Sequence, residues 1–419
     1  MMDALSIKPR KEINAVIKAP PSKSYTQRAL IVSSLADGDS TIKNPLFSDD
    51  SSYMINALGQ LGVKIQVNQD GILVHGSNGY LSSPKETLYV GNAGTAMRFL
   101  AALCALCGGK ITIDGDDRMR ERPLTDLLLA LNQLGVRSES NKGCPPVIIH
   151  GGGMGGGNIT LKGDVSSQYL SSILMTAPYA KQSTQIGIMG DLASKPYADI
   201  TLDVMNNFGV RVSNKNYKTF TIKNSQKYRA TDYKIEGDAS SASYFLAAAA
   251  ITKGTVRVEN LNPNSMQGDI RFADILQQMG CHVKKGDGFI EVTGDELEGI
   301  EVDMNKMPDV VPTLAVVSLF AGSSTKIKNV PNLRVKETDR IKALSTEISR
   351  LGAHVMEFED GLEINASKCM HGAEIETYND HRMAMSFAIA GLEIDGIKIK
   401  NPNCVSKSFP NFWDVFNTL

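Results

Sequence analysis

A chain of 419 residues is longer than one hydrophobic core normally serves, so two or three domains are expected. Hydrophobic residues at 42% and charged residues at 21% describe an ordinary globular protein, and with a formal charge of −1 nothing in the overall balance suggests nucleic acid, so an anionic ligand needs locally gathered cations. The six cysteines are no disulfide framework at this length, the first residues lack a signal-peptide layout, and no apolar run nears the ~18 residues of a membrane span, so a reducing cytoplasm is the expected compartment.

In chain order, "LSIKPRKEINAVIKAP" at 5–20 has strand-like segments, and "SKSYTQRAL" opens a helix near residue 23. "NALGQLGVKI" follows as an amphipathic helix stopped by Gly62 and continued by a β-branched strand, and "VKIQVNQDGILVHG" carries the Asp-Gly of a hairpin turn at Asp70–Gly71. The same phrase returns as "LALNQLGVRS", "DVMNNFGVRV", "DILQQMGCHV" and "EISRLGAHV", with its glycine at 135, 209, 280 and 352. Separations of 73, 74, 71 and 72 residues are too regular for chance and too long for solenoid repeats, so the unit is a small α/β module. At the end of the chain "FPNFWDVFNTL" looks like the same helix without its strand, which predicts that the N-terminal segment completes a sixth module. Six modules make two sets of three.

A first helix is expected in each module, starting near 23, 94, 166, 239, 309 and 381. The Ser, Asn, Thr and Asp residues gathered there each read as a helix cap. The cations do not: Lys23, Arg28, Arg122, Lys336, Arg340, Arg382 and Lys407 fall near helix starts, where the dipole favours acids, and so predict a bound anion. "GNAGTAMRFL" at 91–100 has the glycine-rich turn of an anion site but fits neither a P-loop nor a dinucleotide fingerprint.

"PPSKSYTQRAL", "GNAGTAMRF", "RMRERP", "SSQYL", "SKPYADIT", "PD", "LRVKETDRI", "NDHRMAM" and "KSFP" occur in the order, and near the spacing, seen in the 5-enolpyruvylshikimate-3-phosphate synthase family. The chain resembles that family from about residue 20 to residue 410. The resemblance implies a two-domain inside-out α/β barrel with three βαββαβ repeats per domain and the active site in the cleft between them. It places the domains at 21–235 and at 1–20 plus 236–419. The implied reaction is transfer of the enolpyruvyl group of phosphoenolpyruvate to the 5-hydroxyl of shikimate 3-phosphate, by addition and then elimination of phosphate.

By the same resemblance, shikimate 3-phosphate is bound by Lys23, Ser24, Arg28, Ser166, Ser167, Gln168, Ser194, Tyr197, Asp309, Asn332 and Lys336. Phosphoenolpyruvate falls to Lys23, Asn92, Gly94, Thr95, Arg122, Gln168, Arg340, Arg382 and Lys407. Asp309 and Glu337 resemble the proton-transferring acids, Lys23 shares in catalysis, and His381 is a helper or else a helix cap. No metal and no cofactor are implied. The expected partners are the two substrates and the inhibitor glyphosate, for which Gly94 leaves space; the protein is expected to be a monomer that binds no nucleic acid and no membrane. Phe99 stands where many relatives have Pro, which puts the turn after Arg98 in question.

Three other motifs carry little. Cys104 and Cys107 lie in an apolar helix and read as core, "DGDDR" at 114–118 lacks the other calcium-loop ligands and reads as a turn, and "GGGMGGG" at 151–157 reads as a flexible loop. The nearest rival function is enolpyruvyl transfer to UDP-N-acetylglucosamine. Many members of that family carry a reactive cysteine near the position of "DDRMRERP", and this chain has none there. A non-catalytic anion binder would be expected to lack Lys23, Asp309 or Glu337, and all three are present.

Overall fold

The computed structural model of the protein describes residues 4–68, 71–365 and 369–419. Residue contacts divide the chain into two compact units: one is Pro21–Ile235, and the other joins the described part of Met1–Pro20 to Glu236–Leu419.

Both units are built from the same module. In the middle of the first unit, strand Leu88–Tyr89 leads into helix Gly94–Leu103, strand Lys110–Asp114, helix Thr125–Gln133 and the hairpin Ser138–Asn141/Cys144–His150. The first two strands pair in parallel and the hairpin adds antiparallel, giving a four-stranded sheet. The third module of this unit repeats the plan with Gly157–Lys162, Thr184–Met189, Thr219–Ile222 and Val212–Lys215. Its first module takes its edge strand from the far end of the unit, where Tyr233–Lys234 lies parallel to Asp39–Lys43.

The second unit uses the N-terminal segment twice. Asn14–Lys18 pairs in parallel with Thr255–Glu259, and Ala4–Ser6 pairs antiparallel with Lys398–Lys400. The second pairing completes the sixth module, where the sheet has three strands and the chain ends in the short helix Phe412–Phe416. The module order is therefore βαβαββ, which corrects the βαββαβ order taken from the resemblance. The reason is local: in the other five modules the second helix ends at a glycine with φ between 79° and 118°, a backbone state open to Gly at no steric cost, and the chain reverses there straight into the hairpin.

Burial follows the two periodicities. In Gly157–Lys162 every second side chain points inward, leaving Ile159 and Leu161 in the core. The first helices are enclosed: every residue of Ala239–Thr252 is buried, and its alanines let neighbouring elements approach closely. Within each unit these helices pack on one another, Gly94–Leu103 on Ser167–Thr176 in one and His381–Ala390 on Val311–Val317 in the other. The second helices keep one wet face, as in Arg340–Arg350, where Ile341, Leu344 and Ile348 face inward.

Two local expectations need comment. The Asp-Gly turn includes Asp70, which lies outside the described residues. The glycine run at 151–157 is tied down along its length rather than flexible: Gly151 donates to Gly109, Gly153 to Ala105, Gly155 to Leu134 and Gly157 to Ser183, with Met154 in the core between them. Cys104 and Cys107 are buried in the same core, and the "DGDDR" carboxylates serve locally, Asp116 accepting from the Met119 N–H and Asp114 pairing with Arg120.

Candidate active site

In the Pro21–Ile235 unit the candidate residues cluster at the starts of helices. Lys23 begins helix Lys23–Leu35, and its Nζ lies 3.2 Å from Asp50 Oδ2. One turn on, Arg28 is 1% exposed, and its guanidinium donates to Thr201 Oγ1 at 2.8 Å, Ser24 O at 3.0 Å, Tyr197 O at 3.2 Å and Ser171 Oγ at 3.4 Å. None of these acceptors is a carboxylate. Burial pulls this guanidinium down to about 10. Its plane is flanked by rings, with the Phe99 centroid at 5.2 Å and the Tyr197 centroid at 6.0 Å. Phe99 is thus a buried prop for Arg28.

Ser166 caps helix Ser167–Thr176 by accepting from the Gln168 N–H, and the Gln168 side chain donates to Thr95 Oγ1 at 3.1 Å, joining two helix starts. Asn92 accepts from Arg122 Nη1 through both its backbone and side-chain oxygens, at 3.2 and 2.9 Å. Ser194 holds a left-handed backbone with φ of 55° just before helix Lys195–Asn207, which turns the chain so that Tyr197 follows. The first unit therefore gathers a cationic set in which Lys23 faces the Asp50 carboxylate while Arg28 and Arg122 meet neutral oxygens.

The second unit gathers acids and bases together. Arg340, 1% exposed at the start of helix Arg340–Arg350, donates through Nε to Asp380 Oδ2 at 2.8 Å, through Nη2 to Asp380 Oδ1 at 3.2 Å and Glu337 Oε2 at 2.9 Å, and through Nη1 to Asp309 Oδ1 at 3.3 Å. Burial works against this charge, yet Asp380, Glu337 and Asp309 together hold the guanidinium above its ordinary value. Asp309 also receives Arg382 Nη2 at 2.8 Å and has Lys336 Nζ at 3.6 Å, while Lys407 Nζ lies 4.0 Å from Glu337 Oε1. Asp380 caps helix His381–Ala390, and His381 Nδ1 stands 3.7 Å from its Oδ1. Asn332 is buried in the 3-10 turn Pro331–Val335 that precedes Lys336. Such a network can hold anions and keep two carboxyl groups ready for proton transfer. Among the described residues there is no group of His, Cys, Asp and Glu able to hold a metal ion, and no helix long and apolar enough to cross a membrane.

Comparison with known proteins decides the family. The EPSP synthase family, described as 3-phosphoshikimate 1-carboxyvinyltransferase, matches residues 7–416. The chain belongs to the EPSP synthase family. It is 47% identical to the 3-phosphoshikimate 1-carboxyvinyltransferase of Buchnera aphidicola subsp. Schizaphis graminum over 99% of this chain and 98% of the relative. It is 45% identical to that of Shewanella piezotolerans over the whole of both. The EPSP synthase structure from Acinetobacter baumannii superposes with a TM-score of 0.82 at 29% identity, covering 99% of this chain and 97% of that one. The chain is accordingly a transferase of the shikimate pathway, moving the enolpyruvyl group of phosphoenolpyruvate to shikimate 3-phosphate in aromatic amino acid biosynthesis.

Against this EPSP synthase family reaction, several residues that the sequence left unread stand beside those it singled out. Asp50 and Asp380 supply internal counter-charges to Lys23 and Arg340, so those cations do not depend on a ligand alone. The one signal for Asp380 is its place as N-cap before "HRMAM". Arg98 is buried, donates Nη1 to Gly94 O at 2.8 Å and lies 5.7 Å from the Tyr169 ring centroid.

Gly94 is not the open space expected of it. A Cβ there would lie 2.5 Å from Arg122 Nη2 and from Arg98 Nη1 and 2.8 Å from Arg122 Cζ. Both neighbours are ends of long side chains that can move, so Gly94→Ala should fold normally but push Arg122 off Asn92. The KM for phosphoenolpyruvate is expected to rise roughly tenfold to a hundredfold, as a misplacement of about 1 Å produces. Steady-state kinetics with an unchanged KM would show that the two guanidinium groups are not held where they are needed.

Proposed function

We propose that Asp309 and Glu337 carry the proton transfers of the enolpyruvyl reaction, with Lys23 and His381 assisting. Shikimate 3-phosphate is held by Lys23, Ser24, Arg28, Ser166, Ser167, Gln168, Ser194, Tyr197, Asp309, Asn332 and Lys336. Phosphoenolpyruvate is held by Lys23, Asn92, Gly94, Thr95, Arg122, Gln168, Arg340, Arg382 and Lys407. The observation that carries this reading is the single guanidinium of Arg340 reaching both Asp309 and Glu337, with Arg382, Lys336 and Lys407 around them.

In this reading the 5-hydroxyl attacks C2 of phosphoenolpyruvate and gives its proton to Asp309, while Glu337 as the acid delivers a proton to C3. The tetrahedral intermediate then expels phosphate, and Glu337 takes a proton back from C3. Each carboxyl group must change protonation during turnover, which paired cations and anions around it permit by balancing its charge. Arg28 supports the phosphate role, since its charge is buried against neutral oxygens only and a phosphate would supply the missing negative partner. Guanidinium forks suit carboxylate and phosphate oxygens alike.

The same reading takes the protein as a cytoplasmic monomer acting on two small molecules, with glyphosate expected to compete for the phosphoenolpyruvate cations. The purified protein should release phosphate and form the enolpyruvyl ether, detected by mass spectrometry, only when both substrates are supplied. Product from UDP-N-acetylglucosamine instead, or none from shikimate 3-phosphate, would overturn it.

A further inference from the structure

Close to Asp309 lies a buried acid to which the reaction gives no role. Asp269 sits in the 3-10 turn Gly268–Arg271, which packs against both the 3-10 turn Pro308–Val310 carrying Asp309 and the buried helix Ala239–Thr252. It is 4% exposed; its Oδ2 accepts from the Ser240 hydroxyl, and its Oδ1 is buried with no hydrogen-bond partner among the described residues. The turn is firmly placed, because Gln267 donates to Gly237 O at 2.7 Å and accepts from the Ala239 N–H at 3.1 Å. The charged groups facing it are Asp309, Asp238 and Arg382.

An ionised carboxylate fits this position badly. One of its oxygens would be buried without a donor, and it would share its surroundings with two other acids. We propose that Asp269 is a positioning residue, held as the neutral acid so that Arg382 keeps its charge for Asp309 and for the incoming substrate anion. This rests on the assignment of Arg382 to phosphoenolpyruvate. Burial first, and then the charge of Asp309, push the Asp269 carboxyl up to about 7, with Arg382 and the Ser240 hydroxyl pulling the other way. The sign follows. Below that value the group is neutral; above it the proton goes to solvent, a third carboxylate competes for Arg382, and anion binding weakens.

Infrared difference spectra of the substrate-free protein between about pH 6 and about pH 8.5 should show a protonated carboxyl band lost on the alkaline side, absent from Asp269→Asn. In wild type, kcat/KM for phosphoenolpyruvate should fall about threefold to tenfold across the same range, with the limb displaced to higher pH in kcat because bound substrate anions further favour the neutral acid. Asp269→Asn, which preserves an acceptor for Ser240, should flatten that limb, and Ser240→Ala should move it to higher pH by removing a donor to the ionised form. A band and a limb that persist unaltered in Asp269→Asn would overturn the proposal. Absence of turnover at every pH, with the band present, would instead remove the assignment of the reaction.

Discussion

Glu337→Gln is expected to lower kcat by about a thousandfold while the KM for each substrate stays within about threefold. Gln is nearly isosteric, and its side-chain oxygen can still accept from Arg340 Nη2, which now sits 2.9 Å from Glu337 Oε2. What the amide cannot do is deliver a proton to C3 and take one back. Binding and stability should therefore survive where chemistry does not. Single-turnover mixing should show substrate bound and the tetrahedral intermediate absent, since its formation needs the first of those proton transfers. Equal losses in affinity and turnover would assign Glu337 to holding Arg340 in place and leave the proton at C3 to another group.

The part of this site that could be read from sequence is the part written locally. A second helix must stop at a residue free to adopt positive φ, so glycines at 62, 135, 209, 280 and 352 mark the module period in plain text. Cations at helix starts are equally visible because they go against the dipole. What answers them is not local. Asp380 lies 40 positions from Arg340 and Asp309 lies 31 from it, and only the packing of the Val311–Val317 and His381–Ala390 helices brings the three together. Nothing in the stretch "GDIRFAD" marks Asp269, whose burial depends on packing against the helix beginning at Ala239. The same applies to Phe99. In the chain it is a departure in a turn, whereas in the fold its ring supports Arg28, a contact across 71 positions that no motif encodes. The internal order of the module is local as well: in the residue pattern, as in the fold, the second helix precedes the hairpin.

The largest structural effect is expected at Arg340. Three carboxylates converge on a guanidinium that is 1% exposed, and two of its bonds go to Asp380, itself 0% exposed. Arg340→Ala leaves Asp380 with the Arg382 N–H, at 2.9 Å from Oδ1, and the more distant His381, and it removes the guanidinium that links Asp309 to Glu337. Breaking a buried pair from one side costs about 3–5 kcal/mol, because the stranded charge keeps its desolvation penalty. In a unit of this size that corresponds to a fall of roughly 10 °C in Tm. Arg340→Lys separates charge from geometry: one ammonium can stay near Asp380 but cannot fork to Asp309 and Glu337 as well. The lysine variant should therefore recover most of the thermal stability but little of the kcat/KM, with a loss of at least about a hundredfold. Calorimetry and kinetics on the two variants decide the point. If Lys restores both together, positive charge alone matters at this position; if Ala leaves Tm unmoved, the acids are held by Arg382, Lys336 and Lys407 and Arg340 is not their organiser.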